Sequence, residues 1–415
     1  MQVPFSFLKI SIDNKTNEEE KKYEPSFPAP TYLSIVEIHK VIFSNKAAIL
    51  TNNCLGLNRE TGAVELINQE VDKEMKNMFS QMLLKLGKSF FVSNIQGISA
   101  PAMMNEGRSD IDRSIDCMRI VSIYMNKAAN SHDKLERMKY LTVGFFASIY
   151  LNLRMKKAFN PLLGETCEVT LEDGTKVAVE QVSHHPPISC MYTVGKDNSF
   201  IHSSIARREG QFKLNYLVIK FGITANITFK DGHKIKIITT PAVKINGLMQ
   251  GTRHSYFKGY YEAVDLSSNL RSVVYIDFGK KKHYIGSSKT HTRDKIEGLI
   301  YESTDINTPC NPKGCRIEDL TDIKAKKTLI TGSIFDRIDC DGVNYWHIDK
   351  QFPLKVQFES NPIPSDWRYR EDLIYVRRGD YEKAESWKDA IEIRQRRDQK
   401  EREKYLALHK ESQKK

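Results

Sequence analysis

Cysteine is scarce: seven in 415 residues, an odd number scattered along the chain. That excludes a disulfide framework and points to a reducing compartment. Cys310 and Cys315 are the one close pair, and without a second pair or a nearby histidine they read as loop residues rather than a zinc site. Long apolar runs are missing too. The longest, roughly Tyr140 to Leu153, is too short to cross a bilayer and reads as a buried helix. The first residues show no basic segment followed by an apolar run and a small-residue cleavage site, so no secretory leader is expected and membrane contact should be peripheral. The chain also lacks His-Glu-x-x-His, Gly-x-Ser-x-Gly and Gly-x-x-x-x-Gly-Lys, which leaves an enzyme reading little to stand on.

What is there suits a large core, since 40% hydrophobic residues over this length can fill one big domain or two. The net charge of +11 favours an acidic partner: an anionic membrane surface, a phosphorylated ligand or nucleic acid. The arrangement disfavours nucleic acid. Between Lys388 and Lys415 ten Lys and Arg mingle with six Asp and Glu, so no basic stripe tracks a groove.

Residues 1 to about 67 carry a charged Glu18–Lys22 patch and a proline-rich Pro25–Pro30 segment, and are expected to be partly ordered at best. Helical spacing follows from Val71 to Leu86. Phe90 to Met104 is apolar but broken by Gly97 and Pro101, as in a core strand or a cover over an apolar cavity. Between Ile111 and Leu153 the spacing predicts two helices, with Ser131 and Asp133 as candidate caps before Leu135. After Asn160 the pattern alternates. Asp173-Gly174, Asp231-Gly232 and Asp341-Gly342 each predict a hairpin, and Phe212–Ile219, Arg271–Phe278 and Thr328–Phe335 read as further strands. So many antiparallel strands, from about 160 to 350, would curl into a large barrel enclosing a cavity. From Asp380 the chain is helical and highly charged.

Three motifs carry possible chemistry. In Glu180-Gln181-Val182-Ser183-His184-His185-Pro186-Pro187-Ile188-Ser189 two prolines hold tandem histidines where a strand ends. Surface residues, metal ligands and anion donors are all open for that pair. Lys157-Ala158-Phe159-Asn160-Pro161-Leu162-Leu163-Gly164-Glu165 gathers a cation, an amide and a carboxylate around a turn, which could grip a phosphate or simply reverse the chain. In the last helix Lys388, Glu392 and Arg396 are four apart and share a face, the spacing of ordinary exposed salt bridges.

In chain order the three segments resemble the Asn-Pro-Leu-Leu-Gly-Glu turn, the double-histidine motif and the Lys-x-x-Ile-Glu-x-x-Gln-Arg helix of the oxysterol-binding-protein-related lipid-transfer family. Ser93–Met104 is similar to the family's lid, and Glu136-Arg137-Met138 and Pro364–Asp372 to two further segments, so the resemblance runs from about residue 80 to 404. It implies an α+β fold: a large incomplete antiparallel barrel around a lipid tunnel, with helices on either side in sequence. Its expected parts are an N-terminal segment 1–75 and a lipid-binding domain 76–415, comprising a lid at about 85–106, helices at 110–155, the barrel at 160–350 and a helical part at 365–410. The resemblance also implies that Lys157, Asn160, Glu165, His184, His185, Lys388, Glu392 and Arg396 surround the headgroup of phosphatidylinositol 4-phosphate. A sterol or phosphatidylserine would be the second cargo, and residues 98–106 look closer to the lids of sterol-binding members. A cytoplasmic monomer, peripheral at intracellular anionic membranes, without metal, cofactor or catalysis, completes the expectation. No pleckstrin-homology pattern precedes the lid segment, and no acidic tract with paired phenylalanines is visible.

Overall fold

The computed structural model describes residues 48–50, 53–86, 101–277 except 154, 156, 185 and 214, 292–310 except 309, and 316–412. Three short strands, β1 (Ala48–Leu50), β2 (Asn53–Asn58) and β3 (Ala63–Leu66), lead to helix α1 (Gln69–Leu86). Next, β4 (Asn105–Ser109) runs into α2 (Asp110–Ala129) and α3 (Lys134–Ser148), and β5 (Lys157–Phe159) lies parallel to β4. The main ladder comprises β6 (Thr166–Leu171), β7 (Lys176–His184), β8 (Pro187–Val194), β9 (Phe200–Lys213), β10 (Tyr216–Phe229), β11 (Lys234–Thr239) and β12 (Ala242–Asn246). It continues through β13 (His254–Asp265), β14 (Leu270–Ile276), β15 (Lys295–Ser303), β16 (Ile323–Ser333), β17 (Arg337–Cys340) and β18 (Val343–His347). After β19 (Val356–Phe358) come α4 (Glu371–Arg377) and α5 (Tyr381–Ser412). Among the described residues no helix is long and apolar enough to cross a membrane.

Seventeen strands form one sheet. From β6 to β18 each strand pairs antiparallel with the next, except that β11 and β12 lie end to end between β10 and β13. The sheet curls but does not close: β19 pairs with β6, and among the described residues β18 and β19 do not pair. Helix α2 covers that seam. The Leu354 N–H donates to the Arg119 carbonyl at 2.9 Å, Arg119 Nε returns a bond to the Leu354 carbonyl at 2.6 Å, and the Tyr124 hydroxyl reaches the carbonyl of Tyr345 in β18 at 3.0 Å. The result is an incomplete barrel with a helix across its open side.

Local chemistry sets the turns. Asp341 and Gly342 have φ of 50° and 79°, the mirror-image turn whose twist matches a hairpin. Asp133 caps α3, accepting from the N–H groups of Leu135 at 2.7 Å and Glu136 at 3.4 Å, whereas the Ser131 hydroxyl donates to the Asp133 carbonyl. Phe212–Ile219 is not one strand. β9 ends at Lys213 and β10 starts at Tyr216, and the amide oxygen of Asn215, between them, accepts from the N–H groups of Met249 and Gln250 at 2.9 Å. Alternation runs unbroken through that reversal, with no glycine or proline to mark it.

Residues 48–66, which the sequence leaves ahead of the domain, join the barrel where Val64 and Glu65 pair with Ser255 and His254 of β13. Val64, Leu66, Met75 and Phe79 are buried in the main core with the inner faces of α2 and α3. Residues 87–100, most of the expected lid, lie outside the described residues; its end, Ala102–Met104, is one turn of 3-10 helix with Ala102 fully buried.

Candidate ligand-binding site

The barrel interior follows from strand alternation. Along β9, Ile201, Ser203, Ile205 and Arg207 face out, while His202, Ser204, Ala206 and Arg208 face in. Small inward residues leave room, and β10 supplies an apolar wall of Phe221, Ile223 and Ala225. With Met118 of α2 and Leu141 and Phe145 of α3 they enclose a cavity of about 160 Å³. A single water needs only about 10–15 Å³, so this is no packing defect. In its wall His202 is buried, which pushes its pKa down to about 4 and keeps it neutral near pH 7.

A second, more polar cavity of about 90 Å³ is lined by Lys157, Asn160, Gln181, His184 and Glu209, with Leu217 and Ile219 on its apolar side. Lys157 comes from β5 and Asn160 from the turn after it. His184 ends β7 and pairs with Pro187 of β8, so it stands at a hairpin tip; His185 lies outside the described residues. The turn and the hairpin are joined by two backbone bonds, Gly164 N–H to the Gln181 carbonyl at 2.8 Å and Gln181 N–H to the Glu165 carbonyl at 3.0 Å. Gly164 has φ of 77°, which a side chain would strain.

Glu165, which the resemblance puts at the headgroup, is held by protein partners. Its buried carboxylate accepts from the Leu162 N–H at 2.8 Å, from Arg370 Nη1 at 2.9 Å and from the Ser109 hydroxyl, and it is not among the residues lining the polar cavity. Burial raises its pKa, against the opposing pull of Arg370 and the other two donors. The same guanidinium donates to the Asn160 carbonyl at 2.8 Å and forks onto Asp372 at 2.7 and 3.1 Å, so Arg370 and Glu165 together fix the turn that presents Lys157 and Asn160.

Lys388, Glu392 and Arg396 lie along one face of α5 as a ladder. Lys388 Nζ is 3.1 Å from Glu385 and 3.5 Å from Glu392, which Arg396 meets at 3.0 Å. Lys388 is buried and Arg396 exposed, and neither lines the polar cavity. Glu385 also accepts the Ala102 N–H, tying the ladder to the end of the expected lid. The sequence reading missed Arg370 and, inside the barrel, Arg208 and Asp110. Counting alternate residues of β9 from His202 would have turned Arg208 inward.

The family model for oxysterol-binding protein matches residues 82–412. Oxysterol-binding protein 9 of Dictyostelium discoideum is 29% identical over 310 residues, covering 73% of this chain and 70% of that protein. Oxysterol-binding protein-related protein 3C of Arabidopsis thaliana is 26% identical over 364 residues, covering 82% and 76%. The crystal structure of the Osh1 ORD domain in complex with cholesterol has a TM-score of 0.58 at 20% identity, covering 76% of this chain and 78% of that one. That of the Osh3 ORD in complex with PI(4)P from Saccharomyces cerevisiae has a TM-score of 0.57 at 19% identity, covering 77% and 84%. Both structures share the barrel architecture. The family's members bind and transfer lipids and are not enzymes. With a match that spans both cavities, the helix-covered barrel and α5, the chain belongs to the oxysterol-binding protein family.

Proposed function

We propose that this protein extracts phosphatidylinositol 4-phosphate from one membrane and exchanges it for a sterol at another. The observation that carries the reading is an apolar cavity beside a polar one that gathers Lys157, Asn160 and His184. A phosphate monoester needs several donors, and an ammonium, an amide and an imidazole supply them at one spot. The apolar cavity takes the chains of a phospholipid or the rings of a sterol, one at a time. In this reading His185, Lys388 and Arg396 complete the headgroup site, and Glu165 serves it by holding the turn. The likeness in fold to a domain solved with PI(4)P and to one solved with cholesterol supports the pairing of cargoes. The charge of +11 suits transient, peripheral docking of a monomer on the cytoplasmic face of anionic membranes.

The test is extraction of labelled lipid from liposomes. Changing His184 and His185 together to alanine should lower uptake of phosphatidylinositol 4-phosphate more than a hundredfold, from two charge-assisted bonds at about 1.5–3 kcal/mol each, while the thermal melt stays in place. Uptake at the wild-type level would refute the headgroup assignment. Mass spectrometry of co-purifying lipids identifies the second cargo: sterol supports the exchange, phosphatidylserine replaces it, and extraction without delivery to acceptor liposomes makes the protein a sensor.

A further inference from the structure

Two residues, Asp110 and Arg208, line both cavities. Asp110 opens α2 and Arg208 points inward from β9, so the pair stands where the polar mouth gives way to the apolar interior. Among the described residues lining the apolar cavity, Arg208 is the one that is charged at every physiological pH as a cation. Such a charge is costly inside a protein unless it is paired. Here Asp110 pairs with it, while Nη1 donates to the Ser189 hydroxyl at 2.6 Å and Nη2 to the Ser114 hydroxyl at 3.0 Å. Each hydroxyl donates onward, Ser114 to the Asp110 carbonyl at 2.9 Å and Ser189 to the Gln181 amide oxygen at 2.5 Å. Gln181 in turn donates to the carbonyl of Ser183, next to His184. The network therefore runs from the headgroup end to the guanidinium.

We infer that Arg208 receives the phosphodiester of a glycerophospholipid and thereby separates phospholipid from sterol cargo. The inference rests on the reading that the polar cavity takes the headgroup and the apolar one the chains. A lipid laid that way puts its phosphodiester at the junction, and the two non-bridging oxygens match the guanidinium fork. Both serine hydroxyls are donors as well as acceptors, so they can turn to share the anion. A sterol offers no anion. With sterol inside, Arg208 stays with Asp110, and the neutral pair spares an uncharged cargo a bare charge.

The experiment uses the full chain and three donor vesicles of phosphatidylcholine carrying phosphatidylinositol 4-phosphate, phosphatidylserine or a fluorescent sterol. Arg208→Met should lower extraction of whichever phospholipid the wild type takes by roughly ten- to a hundredfold, the loss of one charge-assisted contact, and leave sterol uptake within about twofold. Arg207→Met, on the outer face of the same strand, should match the wild type throughout. Unchanged phospholipid extraction by Arg208→Met overturns the inference. So does an equal loss of sterol and phospholipid, because a residue that only pins α2 to the sheet serves both cargoes. Should Arg208→Met fail to fold, Arg208→Lys keeps a cation without the fork: a loss confined to phospholipid supports the inference, and wild-type behaviour overturns it. A wild type that extracts phosphatidylserine and no phosphatidylinositol 4-phosphate sinks the headgroup reading and still tests Arg208; one that takes no phospholipid overturns both.

Discussion

Arg370 makes the residue-scale logic visible. Its guanidinium pairs with two buried carboxylates, Glu165 and Asp372, and binds the Asn160 carbonyl, so removing it would leave both carboxylates without their cation under the ligand turn. That Lys157, Asn160 and His184 come together was legible in the sequence, because each stands in a short motif beside a turn. Where the Glu165 carboxylate goes was not, because the partner that claims it lies 205 residues away. His202 gives a measurable consequence of burial. Its folded pKa of about 4 lies below the 6.5 of the unfolded chain, so between those values the unfolded state binds more protons and stability must fall as the pH falls. From pH 7 to pH 5 this one group should cost about 2 kcal/mol in denaturant unfolding. His202→Gln should remove that part of the pH dependence; a variant with the same slope as the wild type would show that His202 is not neutral in the fold.

At the scale of elements, period and turn residues carried the reading where both were present. α1, α2 and α3 follow from helical spacing, and the Asp-Gly hairpins from backbone conformations that aspartate and glycine tolerate. The β9–β10 tip failed for the converse reason, since its strands reverse at an asparagine inside an uninterrupted alternating pattern. α5 was legible as a helix and its ladder as a face, but not where that face is aimed. Arg396 is two-thirds exposed, paired with Glu392 on one side, and Arg397 is exposed beside it. If the proposed headgroup site recruits Arg396 through its fork, Arg396→Lys should weaken extraction of phosphatidylinositol 4-phosphate about tenfold, whereas Arg397→Lys should leave it unchanged. Equal effects of the two would mean that α5 contributes only diffuse charge.

For the whole molecule, strand number alone predicts closure and the resemblance an incomplete barrel; among the described residues β18 and β19 do not pair, and α2 bonds to the chain on both sides of that gap. A sequence pattern reports which residues face inward; it does not report which edge a distant helix will cover. The same holds for the N-terminal strands, whose short length and plain composition hide that β3 adds to β13. This changes what a truncation means. The lid reading alone suggests that deleting everything through Met104 leaves a folded protein that transfers lipid poorly and aggregates. The structure removes that option, because the deletion takes Val64, Leu66, Met75 and Phe79 out of the main core. At about 1.5–3 kcal/mol for each buried side chain, the loss is roughly 6–12 kcal/mol, comparable to the whole stability of a typical domain. The truncated chain should therefore show no cooperative thermal melt by circular dichroism, and the lid must be probed by substitutions in the intact chain. A melt at the wild-type temperature would show that β1–β3 and α1 are accessories to the barrel rather than part of its core.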